Sequence, residues 1–218
     1  YDLPSLEDKA TTLTQMAQEL GNVARQTKEE LLLASAYFVP RKGGSQALQE
    51  ASTRGIRIRI LTNSLAATDV VAVHSGYAPS RKDLLKAGIE LYEFRPDAED
   101  RTLHVHQSVQ AERFGLHTKS VIYDRKIVYV GSLNLDPRDI ELNTEIGVLV
   151  YSPELAETII QMFERDLLPE NSWRLALDRD DQLVWQSDGD PLRREPANSV
   201  WDRITNAFFH LLPIEGQL

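Results

Sequence analysis

The run Leu31-Leu32-Leu33-Ala34-Ser35-Ala36-Tyr37-Phe38-Val39 carries almost no polar side chain, and Pro40 stops it. A strand with one solvated face would alternate apolar and polar positions, so an unbroken run reads as a strand buried on both faces. Proline cannot donate to a ladder, which sets its end. The run is far shorter than the roughly 20 apolar residues that span a bilayer, and no other stretch of the chain approaches that length. The segments that follow decide the architecture. Ser45–Ser52 reads as a short helix, and Gly55 precedes the alternating strand Ile56-Arg57-Ile58-Arg59-Ile60-Leu61. Ser80–Ala87 reads as a second helix closed by Gly88, followed by the strand Ile89–Phe94. Strand, helix, strand, helix, strand is the pattern of a layered α/β sheet.

The flanking segments extend that frame. Leu13, Met16, Leu20 and Val23 recur at helical spacing between Leu6 and Arg25, with Ser5 as N-cap and Asp8 three residues on. Residues 96–114 have no clean period and read as a loop. Lys119–Tyr123 and Lys126–Val130 read as strands joined by Asp124-Arg125, and Glu145–Tyr151 as another. Ser152 caps an amphipathic helix over Pro153–Leu168. Trp173–Leu177 and Leu183–Trp185 form a hairpin around Asp178–Asp181, expected to cover one end of the sheet. A last helix over Val200–Leu211 carries Trp201, Ile204, Phe208 and Leu211 on one face. That stripe is expected to face the core, with a membrane interface as the other reading. The whole reads as one domain over residues 1–218, with a helical lead-in over 1–30 and an appended hairpin and helix over 170–218.

Composition closes off several chemistries. The chain has no cysteine, which removes disulfides, thiolate catalysis and cysteine-ligated zinc or iron–sulfur sites. Its 24 Lys and Arg stand against 33 Asp and Glu, a formal net charge of −9. Nucleic-acid binders gain most of their non-specific affinity by counterion release from a basic face, so nucleic acid is not an expected partner. The first residue is Tyr1 rather than Met, so a processed or excised piece is expected.

The chemistry concentrates in His117-Thr118-Lys119-Ser120-Val121-Ile122-Tyr123-Asp124 and the later Gly131-Ser132-Leu133-Asn134. Residues two apart on a strand point the same way, so His117 and Lys119 are expected to face one side together. An imidazole can attack phosphorus or shuttle the leaving group's proton. An ammonium stabilises charge on the equatorial oxygens of the transition state. Ser132 and Asn134, again two apart, are expected to donate hydrogen bonds to the same phosphate, and Glu145 to orient the imidazole. Lysine and polar donors take the place of a cation, so no metal and no cofactor are expected. Asn63, at the end of a strand, is expected to line the cleft as a further phosphate ligand.

The pattern H-x-K-x4-D followed by G-S-x-N resembles the signature of the phospholipase D superfamily at every defined position. Ser35–Pro40, Leu61–Leu65, His74-Ser75-Gly76-Tyr77, Asn134–Arg138 and Leu142–Glu145 further resemble the C-terminal half of bacterial cardiolipin synthases, nearest to the subgroup called cardiolipin synthase C. The resemblance implies a mixed β-sheet flanked by helices, a single copy of a normally duplicated domain. It implies transfer of a phosphatidyl group between phospholipids through a phosphohistidine, with two motifs sharing the work and His117 as acid and base. The implied partners are phospholipid substrates and a membrane surface, on the cytoplasmic side of the bacterial inner membrane. A missing N-terminal half would bring the second motif, or a second copy of the chain would, as in homodimeric phosphodiesterase nucleases of this superfamily. Asp124 carries two readings, a role in the chemistry and a role in its turn. His104 and His106 read as a solvated loop pair rather than metal ligands. His74, near Tyr77, either lines the cleft or satisfies a loop.

Overall fold

The computed structural model describes residues 15–100 and 115–209. The leucine-rich run forms β1 (Glu30–Ser35), whose every residue is buried. It pairs in parallel with β2 (Arg57–Asn63), which pairs in parallel with β3 (Glu90–Phe94). On its other side β1 pairs antiparallel with β4 (Lys119–Tyr123), followed by β5 (Ile127–Gly131) and β6 (Gly147–Tyr151). With β7 (Ser172–Leu177) and β8 (Leu183–Gln186), these make one mixed sheet of eight strands in the order β6-β5-β4-β1-β2-β3-β7-β8.

Both faces of β1 are covered, as its composition demands. Leu31 and Leu33 pack with Leu20 and Val23 of the helix Gln15–Gln26, and with Val121 and Tyr123 of β4. Leu32 and Ala34 face the other way, onto Ala156, Ile160 and Phe163 of the helix Pro153–Asp166. Each leucine withdrawn from water in this way contributes about 1.5–3 kcal/mol. Ser152 caps the latter helix, accepting the Leu155 N–H at 3.1 Å. The reverse turn after β4 places Asp124 and Arg125 in left-handed backbone, φ 49° and 55°.

One strand end, the place of the hairpin and the facing of the last helix depart from the sequence reading, each for a local reason. The apolar run leaves the ladder after Ser35, whose hydroxyl donates to the Tyr37 carbonyl at 2.6 Å. Residues beyond it turn toward a different neighbour: Phe38 bridges Leu135, and the Val39 N–H donates to the Leu135 carbonyl at 2.8 Å. The hairpin β7–β8 does not cover an end of the sheet but widens it, because Glu93 and Phe94 of β3 pair with Trp173 and Ser172. The last helix, Val200–Phe209, turns its apolar stripe outward rather than into the core: Trp201 is 74% exposed, Ile204 51% and Phe208 56%. Its buried side is polar, through Asp202 and Asn206, and the Arg203 guanidinium beside them donates to the Glu195 carbonyl at 3.1 and 3.2 Å. Leu211 lies outside the described residues. Among those that are described, no helix is long and apolar enough to cross a membrane.

Candidate active site

His117 owes its place to a residue on another strand. The Asn63 side chain, at the end of β2, accepts the Leu116 N–H at 2.7 Å and donates to the Leu116 carbonyl at 2.9 Å and the Ala36 carbonyl at 3.1 Å. Asn63 is buried, and both ends of its amide hold backbone. It is therefore not the phosphate ligand expected from its position; it fixes the segment that leads into His117. The Ala36 N–H then donates to the Thr118 carbonyl at 3.2 Å, which ties the residue between His117 and Lys119 to the end of β1.

Lys119 opens β4 directly opposite Ser35 on β1. Its side chain is largely buried, and its ammonium donates to the His117 carbonyl at 3.0 Å. Burial pushes its pKa down; the carboxylates of Asp139, Glu145, Asp69 and Asp136 push it back up without fully restoring it. The lysine sits in a net acidic neighbourhood.

His117 and Lys119 border one open depression of about 510 Å³, with Ser132 on the same wall. Its rim is apolar: Val130 is 43% exposed, Ile146 78% and Val148 58%. Gly131 and Gly147, paired across β5 and β6, also line it. The buried Tyr129 ring lies against both glycines, and a Cβ on Gly131 would also come within 2.6 Å of the Ile146 carbonyl oxygen. Side chains are sterically excluded there.

The remaining expected residues divide. Ser132 bridges the ends of β5 and β6: its N–H donates to the Ile146 carbonyl at 2.8 Å, and its hydroxyl oxygen accepts the Ile146 N–H at 3.0 Å. Its hydroxyl donates to the Glu145 carboxylate. Glu145 thus engages Ser132, and no Glu145–His117 hydrogen bond occurs among the described residues, so the expected carboxylate support of the imidazole is not formed. Asn134 is buried beside the Lys119 face of the sheet, because the next residue, Leu135, donates its N–H to Ser35 Oγ at 3.1 Å. Asp124 is not in the site. It lies past the far end of β4, where its carboxylate accepts the N–H groups of Lys28, Glu29 and Glu30 at 2.8–3.1 Å. Burial raises its pKa, but those three donors outweigh burial and hold it below the ordinary carboxylate value.

His74, on the helix Val71–Tyr77, is buried with its Nε2 2.8 Å from Glu195. Glu195 also accepts from Arg81 at 2.6 Å, and Arg81 donates to the fully buried Glu93 at 3.1 Å. His74 therefore locks the C-terminal segment to the domain. His104 and His106 lie outside the described residues.

Two residues near Lys119 were not anticipated. Asp139 is buried on the short helix Pro137–Glu141 and accepts the Asn134 N–H at 2.8 Å and the Asn134 side-chain amide at 2.9 Å. The sequence signal for it is Asp136-Pro137, an N-cap followed by proline at the first helical position; Asp136 accepts the N–H groups of Arg138 and Asp139 at 3.0 Å. Tyr37 donates its phenol to Asp69 at 2.7 Å.

Comparisons with known proteins follow the geometry. Residues 21–167 match the family described as cardiolipin synthase, PLD-like domain. The chain is 38% identical to cardiolipin synthase C of Escherichia coli K12 over 97% of its length, covering 46% of that protein. It is 27% identical to cardiolipin synthase B of the same strain over 68% of its length, covering 34% of that protein. The chain thus spans less than half the length of these relatives. Among solved structures its fold is similar to that of Nuc from Salmonella typhimurium, a phospholipase D family member, at TM-score 0.54 and 18% identity over 73% of this chain and 92% of that one. It is also similar to phosphatidylserine synthase from Haemophilus influenzae Rd KW20, at TM-score 0.52 and 16% identity over 70% of this chain and 35% of that one. The chain belongs to the cardiolipin synthase family of phospholipase D-like domains.

Proposed function

We propose that this chain is the C-terminal catalytic half of a two-motif enzyme that moves a phosphatidyl group from one phospholipid to the alcohol of another. The single observation that carries the proposal is the shared depression, where the exposed His117 and the buried Lys119 meet under an apolar rim suited to glycerolipid. A histidine from the other half attacks phosphorus, the P–O bond to the first alcohol breaks, and His117 protonates the departing oxygen. His117, now neutral, takes the proton of the incoming alcohol, whose oxygen attacks phosphorus and releases the first histidine. Lys119 stabilises the equatorial oxygens in both steps. Its donor to the His117 carbonyl keeps the two groups in fixed relation.

A homodimeric phosphodiesterase acting on DNA is the competing reading, kept open by the single motif in this chain. The carboxylates around Lys119 and the net charge of −9 oppose a polyanionic substrate. The test is to incubate the full-length protein with phosphatidylglycerol vesicles, with and without phosphatidylethanolamine, and separately with single-stranded DNA. Cardiolipin formed by the parent and lost in His117→Ala supports lipid transfer. DNA nicking that persists in EDTA, with no cardiolipin formed, would sink it.

A further inference from the structure

The helix Val200–Phe209 is built inside out. Its buried residues are Asp202 and Asn206, and its one other charged side chain, Arg203, is engaged with the Glu195 carbonyl. Its exposed residues are Val200, Trp201, Ile204, Ala207 and Phe208, and none of them carries a charge. A helix on a protein surface ordinarily shows the reverse polarity, with its apolar stripe against the core. Polar groups hold this one down, and a continuous apolar stripe about 15 Å long is left facing outward. Such a stripe marks a surface that meets something other than water.

Charge and position both point to lipid. The chain carries a net charge of −9, yet the outward side of this helix has no carboxylate to repel an anionic headgroup. The first exposed charge before the helix is cationic: Arg194, next to the Glu195 whose carbonyl holds Arg203. A guanidinium there suits a lipid phosphate. Trp201 has the amphipathic ring favoured where headgroups meet acyl chains. The helix is also tied to the end of the sheet that bears the site. Asn198, two residues before it, donates its side-chain amide to the Ala66 carbonyl, just past the end of β2. The Ala67 carbonyl oxygen lies against Gly115, where a Cβ would come within 2.7 Å of it, and Gly115 is two residues from His117. On this same side β1 and β2 end and β4 begins.

We propose that the outward stripe of Val200–Phe209 is the face through which this protein docks on a phospholipid bilayer, lying in the headgroup layer with Trp201, Ile204 and Phe208 immersed. The inference rests on the phosphatidyl-transfer reading and deepens it by naming the surface that brings the site to its substrates. Docking there keeps the depression at His117 and Lys119 beside the membrane, so each exchange of lipid takes place without release into water. The helix takes no part in the chemistry itself.

The experiment sediments the full-length protein with vesicles of phosphatidylglycerol and phosphatidylethanolamine, and measures transfer on those vesicles and on short-chain phosphatidylglycerol dissolved as monomers. Ile204→Ser combined with Phe208→Ser is expected to weaken vesicle binding about ten- to a hundredfold, since roughly half of each side chain is free to enter lipid. Transfer on sparse vesicles should fall with it, and transfer on dissolved lipid should stay at the parent's rate. Equal vesicle binding by parent and variant would overturn the inference. So would a parent that is dimeric without lipid and becomes monomeric in the variant, because the stripe would then seat a second copy. A parent that binds vesicles through the stripe but transfers nothing on either lipid overturns the functional reading and leaves the docking face standing. Should the variant fail to fold, Trp201 decides the matter without it. Trp173 and Trp185 are buried and Trp201 is exposed, so the emission lost in Trp201→Phe isolates its signal. That signal should move to shorter wavelength on vesicles and be quenched by lipids brominated along their acyl chains; no change would refute docking.

Discussion

The carboxylate of Asp124 accepts the backbone N–H of Glu29 at 2.8 Å, and so ties the reverse turn after β4 to the start of β1. The motif residue most distant from the depression is the one that sets the register between the two strands bearing the site. Lys119 opposes Ser35 at one end of that pairing, and Tyr123 opposes Leu31 at the other.

Removing this clamp is predicted to cost stability and to spare the chemistry. Asp124→Ala leaves the N–H groups of Lys28, Glu29 and Glu30 without their acceptor and places alanine at φ 49°. A loss of about 1–3 kcal/mol is expected in chemical denaturation. Because the folded pKa lies below the unfolded one, this contribution is present above the unfolded carboxylate range and fades as pH falls through the folded value. Activity per folded molecule that dropped as far as in a His117 variant would show that Asp124 takes part in the reaction after all.

If the function proposed above holds, His117→Ala slows phosphatidyl transfer by about 10²- to 10⁴-fold, the usual worth of a positioned acid–base group. The side chain is exposed, so the unfolding midpoint should stay within about 0.5 kcal/mol of the parent. Rate measured beside thermal melts checks both halves of the expectation.

Lys119 gives a pH dependence of known sign. Burial lowers its pKa below 10.5, so it loses its charge at lower pH than an exposed lysine. Calorimetric titration with inorganic phosphate between about pH 8 and 10, where the phosphate charge is constant, should show affinity falling as pH rises. Lys119→Arg keeps its charge throughout this range and should flatten the dependence. An unchanged slope in the arginine variant would place the titration elsewhere.

The Glu195 latch predicts acid release of the C-terminal segment. Burial raises this pKa, but the His74 hydrogen bond and the Arg81 charge outweigh burial and bring it from 4.5 to about 2. The stabilisation is therefore complete above about pH 4.5 and is lost as pH falls toward 2. Pepsin digestion across that interval should cut the segment before the Val200–Phe209 helix increasingly fast. Glu195→Gln should be cut readily at every pH tested, and cleavage of the parent that ignores pH would refute the latch.

The sheet was legible because its signals are local. The leucine run, the alternation around Ile58 and the turn at Asp124-Arg125 each specify backbone through burial or dihedral preference. The placement of side chains was legible where spacing along one strand decided it, as for His117 and Lys119, which border the same depression. Asn63 and Asp124 were read as possible participants in chemistry because a motif shows residue type but not which backbone a side chain meets across the fold. Asp139 is not legible in the sequence because its partners, Asn134 and Asn143, are set by the turn of a short helix that only Asp136-Pro137 signals. The outward stripe on Val200–Phe209 was misjudged for a related reason. Periodicity identifies an apolar face, but here the buried side carries Asp202 and Asn206, and the Arg203 hydrogen bonds to the Glu195 carbonyl hold the helix that way round.

The Gly131–Gly147 pair beneath Tyr129 bears on how this domain can diverge. A side chain at either glycine would have to evict a buried phenol before the altered wall could be tried on any substrate. Single substitutions that reshape the hollow are therefore confined to its rim, at Val130, Ile146 and Val148, where solvent already gives room for larger or smaller groups. Variation in what the hollow admits is accessible there one residue at a time, while its floor stays unaltered.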